Sequence, residues 1–212
     1  MTGLMKINNE KIYNSLDKII PNPICELNYK KDYELVIAVM LSAQTTDKRV
    51  NIVTNSLFNK YDKLEKLSKL SIKEIENEIR TIGLFKNKAK HLKNIVKSLL
   101  ENGYVPNNRE ELEKLSGIGR KSASVILSEL FNIPSMPVDT HVERVSKRLG
   151  LAFKNDNVLV VEKKLCKKFE KEKWNRIHKQ LVLFGRYHCT SKKPKCDVCP
   201  FGDVCKYKNA IN

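Results

Sequence analysis

Apolar residues recur at three- and four-residue spacing along almost the whole chain. This spacing marks one face of an α-helix, and no segment alternates apolar and polar residues as a half-buried strand does. The pattern therefore predicts an all-α fold. The chain has 212 residues, of which 41% are hydrophobic, so it can bury a sizeable core in one large domain or two small ones.

Capping and helix-breaking residues divide this pattern into short helices. A first amphipathic helix is predicted over residues 7–20, ended by Pro21 and Pro23, and a domain boundary is expected there. Residues 32–41 are apolar nearly all round, which predicts a buried central helix. Further helices are predicted at about residues 46–60, 71–83, 87–100, 108–116, 120–131, 140–149, 158–171 and 174–184.

The formal net charge of +16 favours a polyanionic partner, and nucleic acid is the leading candidate. Lysine greatly outnumbers arginine, so an ordinary solvated surface is the alternative interpretation. No apolar run is long enough to span a bilayer, and the N-terminus lacks the apolar segment of a secretion signal. We therefore expect a soluble, intracellular protein.

A glycine hairpin is predicted within LSGIGRKSASVIL, between two helices. Gly117 and Gly119 allow a tight turn, and their N–H groups can approach a phosphate closely because they carry no side chains. The N-terminus of the following helix, which begins at Arg120, adds a positive dipole end. Such a hairpin would grip the DNA backbone without reading bases; a plain helix–helix turn is the alternative.

Lys121 lies in the first turn of this second helix, where the helix dipole and the neighbouring Arg120 both disfavour the ammonium form. The amine is thus a candidate nucleophile, or else one more phosphate-binding lysine. A candidate partner is Asp139. If Thr140 is the N-cap paired with Glu143, the Asp139 carboxylate is free to face a cleft; alternatively Asp139 is itself the N-cap.

Four of the six cysteines follow the spacing C-x6-C-x2-C-x5-C near the end of the chain: Cys189, Cys196, Cys199 and Cys205. Four thiolates in one compact loop favour a metal site in a reducing compartment over disulfides. The spacing by itself is compatible with zinc and with an iron–sulfur cluster. Cys25 and Cys166 stand alone and are interpreted as small core residues.

In their order along the chain, LSAQTTD, GIGRK, VDTHVERV and the cysteine loop resemble the endonuclease III family of DNA glycosylases. The resemblance implies two helical domains with DNA in the cleft between them. Residues 25–133 would form a six-helix barrel module with a helix-hairpin-helix motif, and residues 1–24 with 134–212 a cluster domain. It also implies that the four cysteines hold a [4Fe-4S] cluster, that Lys121 is the Schiff-base nucleophile, and that Asp139 is its carboxylate partner.

Two more positions match family residues that enter the DNA stack, Gln44 in LSAQTT and Leu84 in IGLFKNKA. A polar head and an apolar wedge suit the gap left by an extruded base. Without the resemblance they would be interpreted as a helix-end glutamine and a buried leucine. The chain departs from the family at Ser116, where proline is common, and at Ser122 and Ser124, where threonine and asparagine are common.

The implied activity is that of a bifunctional DNA glycosylase and AP lyase of base excision repair. It would excise oxidised or ring-saturated pyrimidines through a lysine Schiff base and β-elimination. Related adenine glycosylases lack this lysine and carry a glutamate where Ala38 aligns, and oxidised-guanine glycosylases lack the cysteine loop. The expected partner is duplex DNA with damaged bases or abasic sites, bound by a monomer in the cytoplasm, at the nucleoid if the source is bacterial.

Rivals from other classes are a non-catalytic DNA-binding protein, whose metal loop would order a basic surface, and an electron-transfer module. Strand nicking at a damaged site separates the first rival from the enzyme. A reversible cluster potential unconnected with DNA would mark the second.

Overall fold

The computed structural model describes residues 8–205 and 207–208, and within these residues the regular elements are helices. The predicted start of the first helix at residue 7, and the ends of the predicted cluster domain, lie outside the described residues. The α-helices are α1 (Asn9–Ile19), α2 (Asp32–Leu41), α3 (Asp47–Lys60), α4 (Leu64–Ser68), α5 (Ile72–Glu78), α6 (Phe85–Asn102), α7 (Arg109–Lys114), α8 (Arg120–Phe131), α9 (Thr140–Leu149), α10 (Val158–Lys168) and α11 (Trp174–Tyr187). A short 3₁₀ helix, Lys171–Lys173, precedes α11.

The chain divides into two compact units. Residues 25–132, here the hairpin unit, contain α2 to α8. The described residues before 25 and from 133 onward form the second, here the terminal unit, which contains α1 and α9 to α11. Each unit has its own hydrophobic core.

Helix α2 is the centre of the hairpin unit. Its seven residues from Leu35 to Leu41 are all at most 4% exposed, and the helix packs against α3, α6 and α8. This confirms the buried central helix predicted from a segment that is apolar all round. Full burial of one aliphatic side chain contributes about 1.5–3 kcal/mol, so α2 contributes substantially to the stability of this unit.

Local capping signals set most helix starts. Thr46 Oγ1 accepts a hydrogen bond from the Arg49 amide, which confirms the predicted N-cap of α3. Ser71 and Glu74 form the predicted capping box, with the Glu74 carboxylate 2.7 Å from the Ser71 amide. Asn108 caps α7 through its side-chain oxygen, which accepts a hydrogen bond from the Glu111 amide at 2.9 Å.

Tertiary packing changes other helix limits. Helix α5 ends at Glu78 rather than near residue 83, since Ile79 and Ile82 leave the helix and enter the core as part of a turn. Helix α4 was not predicted, because five residues are too few to show a helical period. Helix α11 continues to Tyr187, three residues beyond its predicted end.

In the terminal unit, α11 packs against both α1 and α9. Asp17 of α1 accepts hydrogen bonds from Arg176 and Gln180 of α11, at 2.6 and 2.7 Å. Phe184 and Phe201, both fully buried, meet edge to face with ring centroids 5.5 Å apart. Phe201 thereby ties the cysteine-containing segment to the core. No helix in the described part of the chain is long and apolar enough to cross a membrane.

Candidate active site and DNA-contact elements

The predicted hairpin lies between α7 and α8. Gly117 has φ of 79°, a left-handed conformation that favours glycine, and its position faces the His91 ring of α6. A Cβ on Gly117 would come within 2.9 Å of a His91 ring carbon, so any side chain there would displace the ring. Gly119 differs, because a Cβ on it would meet nothing within 4 Å. Both glycines are exposed.

Ser116, which stands where the family commonly has proline, makes a contact of its own. Its hydroxyl lies 2.8 Å from Nδ1 of His91. A hydrogen bond to α6 therefore restrains the start of the hairpin, where proline would restrain it through its ring.

Arg120 and Lys121 are exposed in the first turn of α8, which begins directly after Gly119. The first turn contains no acidic residue, so the positive end of the helix dipole is not offset locally. Ser124, one of the departures from the family, is buried and donates its hydroxyl to the Arg120 carbonyl at 3.0 Å. The serine that stands where the family commonly has asparagine therefore lies inside α8, whereas Lys121 is exposed.

Asp139 is the N-cap of α9, so of the two alternatives left open by the sequence the structure has the second, and Thr140 is the first residue of the helix. Asp139 Oδ1 accepts from the amides of His141 and Val142 at 2.9 and 2.8 Å. Aspartate is a stronger N-cap than threonine, and the register of α9 gives it that position. Both amides donate to Oδ1, so Oδ2 takes no part in capping. The carboxylate, half-buried, is thus fixed in orientation by the helix it caps.

Lys121 belongs to the hairpin unit and Asp139 to the terminal unit. Their approach to one another stays a prediction.

Gln44 and Leu84 share an unusual backbone conformation. Their φ angles are 55° and 59°, and among the described residues only Asn132 is another non-glycine residue with positive φ. Such a conformation costs of order 1–3 kcal/mol and recurs where a function requires it. Leu84 is 61% exposed, so it is not the buried leucine that its sequence context favoured. The Gln44 carbonyl lies 4.0 Å from the ideal Cβ position of Gly83, the residue before Leu84. The turn that contains Gln44 and the turn that contains Leu84 are therefore neighbours.

Lys88 was missed by sequence reasoning. Its side chain is 5% exposed, and its ammonium donates to the carbonyls of Leu41 and Ala43 and to the Thr45 hydroxyl, at 2.9, 2.6 and 3.0 Å. Burial lowers the pKa of this amine. A usable signal existed, since Lys88 falls on the apolar stripe of α6 at helical spacing with Leu92 and Ile95.

The four loop cysteines comprise two buried thiols, Cys189 and Cys205, and two half-buried ones, Cys196 and Cys199. Burial raises the pKa of the Cys199 thiol, and the negative charges of the other three thiolates raise it further. Among the described residues, no three or more His, Cys, Asp or Glu side chains lie close enough together to form a metal site. The geometry of the loop by itself therefore does not identify a cofactor.

Two arginines of α9, also missed from the sequence, hold this loop. Arg148 donates to the carbonyls of Thr190 and Ser191 at 2.6 and 2.9 Å, and its guanidinium lies 3.4 Å from the Cys189 sulfur. Arg144 donates to the Cys189 carbonyl at 3.1 Å. Burial raises the pKa of Cys189, and Arg148 acts against this by lowering it. Their i, i+4 spacing on one helix face was the available signal.

Comparisons with known proteins identify the family of this chain. Residues 37–171 match the HhH-GPD superfamily of base excision DNA repair proteins, and residues 189–205 match the iron-sulfur binding domain of endonuclease III. The second match begins and ends at the outer two loop cysteines.

The endonuclease III of Bacillus subtilis (strain 168) is 46% identical over 205 residues, which cover 94% of both chains. A non-covalent endonuclease III–DNA complex superimposes with a TM-score of 0.91 at 43% identity, over 97% of this chain and 98% of that one. A trapped endonuclease III–DNA covalent intermediate does so with a TM-score of 0.90 at 43% identity, over 97% and 99%. The chain belongs to the endonuclease III family of helix-hairpin-helix base excision DNA repair proteins.

Proposed function

We propose that Lys121 is the nucleophile of this DNA glycosylase and AP lyase, and that Asp139 is its carboxylate partner. The observation that carries the proposal is the exposed lysine in the first turn of α8, directly after an exposed glycine hairpin. A hairpin that grips the phosphates would hold the DNA where this amine can reach an extruded nucleotide. The substrate is an oxidised or ring-saturated pyrimidine nucleotide in duplex DNA, or an abasic site.

In the proposed reaction, Nζ of Lys121 attacks C1′ in its neutral form. A bond forms between Nζ and C1′, and the damaged base departs with the electron pair of the glycosidic bond. Asp139 assists by accepting the proton lost from the amine or by stabilising the cationic sugar. Its double cap on α9 would hold the carboxylate in one orientation for this task.

Opening of the sugar ring then leaves an imine between Lys121 and C1′, which acidifies the C2′ proton. Loss of this proton and departure of the 3′ phosphate break the C3′–O bond, so the strand is cleaved 3′ to the lesion by β-elimination. Water hydrolyses the imine and regenerates the amine. Gln44 and Leu84 would occupy the space in the stack that the extruded nucleotide leaves. The amides of Gly117 and Gly119 and the side chain of Arg120 would bind phosphates.

The cofactor of this enzyme is a [4Fe-4S] cluster. We infer that the four loop cysteines are its ligands. Four cysteines with C-x6-C-x2-C-x5-C spacing in one loop, and two guanidiniums that donate to the same loop, suit an anionic iron–sulfur centre. The bound cluster would order the loop.

We further propose that the protein acts as a monomer on chromosomal DNA in the cytoplasm. Light scattering of the protein–DNA complex tests whether one protein molecule is bound.

The test of the nucleophile is covalent trapping. Borohydride added during turnover on a duplex with one defined oxidised pyrimidine should reduce the imine and leave a stable protein–DNA adduct on Lys121. Lys121→Arg keeps the positive charge, so it should bind duplex DNA within about threefold of the wild type and form no adduct. A Lys121→Arg protein that is trapped at the wild-type rate would assign the nucleophile to another amine.

Asp139→Asn is the companion variant. Asparagine is as good an N-cap as aspartate, so the unfolding temperature should stay close to that of the wild type. Base excision should slow by about 100-fold or more, since the carboxylate charge is lost. Excision at the wild-type rate would leave Asp139 with a capping role alone.

A further inference from the structure

The Lys88 ammonium is saturated by one short segment of chain, residues 41–45, here called the Gln44 turn. An ammonium group has three donors, and all three find acceptors in this turn. Two of the acceptors belong to Ala43 and Thr45, the residues on either side of Gln44. The third, the Leu41 carbonyl, is one of the carbonyls that α2 leaves without a helical partner at its C-terminus.

The turn needs such a restraint. Gln44 adopts a φ of 55° without the freedom of glycine, and a conformation of this kind persists only where its surroundings determine it fully. The contacts from Lys88 on both flanks of Gln44 provide that determination. They come from a residue more than forty positions later in the chain, so they form only in the folded hairpin unit.

The same residue also contacts the second strained position. The Lys88 amide donates to the Leu84 carbonyl at 3.0 Å, as the first hydrogen bond of α6. Lys88 therefore holds the Gln44 turn through its side chain and the Leu84 N-cap through its backbone. The main-chain bond needs no lysine, but the hold on the Gln44 turn does, because only a buried ammonium at this position reaches the end of α2.

We propose that Lys88 is a positioning residue, which holds Gln44 and Leu84 in one rigid arrangement so that both enter the DNA stack together, and which does not itself touch DNA. The proposal rests on the stack-filling roles of Gln44 and Leu84 given above. It assigns to a buried cation a part in base excision that is separate from phosphate binding.

The chain offers a matched control on the same helix. Lys93 donates in the same manner to two main-chain carbonyls, those of Ser68 and Leu70, at 2.6 and 2.5 Å. These acceptors lie at the end of α4 and beyond it, and neither belongs to the Gln44 turn or to Leu84. Lys88→Met and Lys93→Met thus remove the same charge and the same kind of contact from α6, and only the first releases the Gln44 turn.

The experiment compares single-turnover excision of an oxidised pyrimidine with affinity for the undamaged duplex, in protein shown to be folded by circular dichroism. Lys88→Met should slow excision by about tenfold relative to Lys93→Met, as expected for loss of hydrogen bonds to a charged group, while the two variants bind undamaged DNA equally. In a double-mutant cycle, Lys88→Met should add little to Gln44→Ala, whereas Lys93→Met and Gln44→Ala should act independently.

Thr45→Val keeps the lysine and removes one of its three acceptors. This variant replaces Lys88→Met in the comparison if Lys88→Met does not fold. It should slow excision in the same direction, by about threefold. Equal excision by Lys88→Met and Lys93→Met, or multiplicative effects of Lys88→Met and Gln44→Ala, would overturn the proposal. Excision at the wild-type rate by Gln44→Ala would instead contradict the proposed role of Gln44 itself, and failure to trap the wild type would contradict the proposed nucleophile.

Discussion

The two hairpin glycines are explained by different neighbours. Gly117 is required by the protein, since its positive φ and the His91 ring leave no room for a side chain. Gly119 has an extended backbone that any residue adopts, and a Cβ there would meet open space. The protein's own packing therefore does not account for glycine at position 119. Close approach by a phosphate, as proposed for the hairpin, would account for it.

Gly119→Ser tests this explanation. Serine is a better N-cap than glycine, so the free energy of unfolding should rise by a few tenths of a kcal/mol. The new side chain would occupy the space of the phosphate, and loss of one hydrogen bond to a charged group should lower duplex affinity by about tenfold. Gly119→Ala, a poorer cap, should lose stability and a similar part of the affinity. Wild-type affinity in both variants would show that no phosphate approaches Gly119.

At the scale of elements, α9 connects the proposed carboxylate with the cysteine loop. Asp139 caps its N-terminus, and Arg144 and Arg148, one and two turns further on, donate to the loop that begins at Cys189. Several main-chain carbonyls of the loop depend on these two guanidiniums. Disorder of the loop would thus remove most of the hydrogen-bonding partners of this face of α9.

We expect iron and acid-labile sulfide near four per chain in protein purified without air, and substantially less in Cys199→Ser. Metal binding is part of the folding free energy of such a loop, so Cys199→Ser should also lower the unfolding temperature. Cys166→Ser, on α10 of the same unit, is the control and should keep its iron. Zinc in place of iron in the wild type would contradict the cluster, and full iron in Cys199→Ser would remove that residue from the ligand set.

For the whole molecule, the net charge of +16 favours binding to the polyanionic DNA backbone. If backbone amides and basic side chains contact phosphates rather than base edges, as proposed, binding should depend on salt and hardly on sequence. If about five phosphates are neutralised, the logarithm of the association constant should fall against the logarithm of salt with a slope of about −4.5.

Fluorescence anisotropy measures this slope. Between about 50 and 200 mM salt, the expected slope corresponds to a several-hundred-fold loss of duplex affinity. Arg120→Gln should make the slope smaller by about one, because one phosphate contact is removed. A slope near zero, or affinities that differ by more than about tenfold between undamaged sequences, would contradict backbone-dominated binding.

The amino-acid sequence by itself determined what depends on neighbours a few residues apart. The helical period, the N-caps at Thr46, Ser71 and Asn108, and the cysteine spacing are all local, and the resemblance to the family followed from short motifs in order. These signals were sufficient for the all-α fold, the enzyme class and the cofactor. At Asp139 the local signal was ambiguous, because two adjacent residues are both good N-caps, and the register of α9 selected the first.

Only the tertiary structure decided the properties that depend on distant partners. Glutamine and leucine have no preference for positive φ, and a lysine is by default exposed, so nothing local predicted the strained turns at Gln44 and Leu84 or the burial of Lys88. The ammonium can be buried only when α2 and α6 pack together, because the end of α2 and the Gln44 turn then supply its acceptors. Burial of a charge without such partners would be strongly unfavourable.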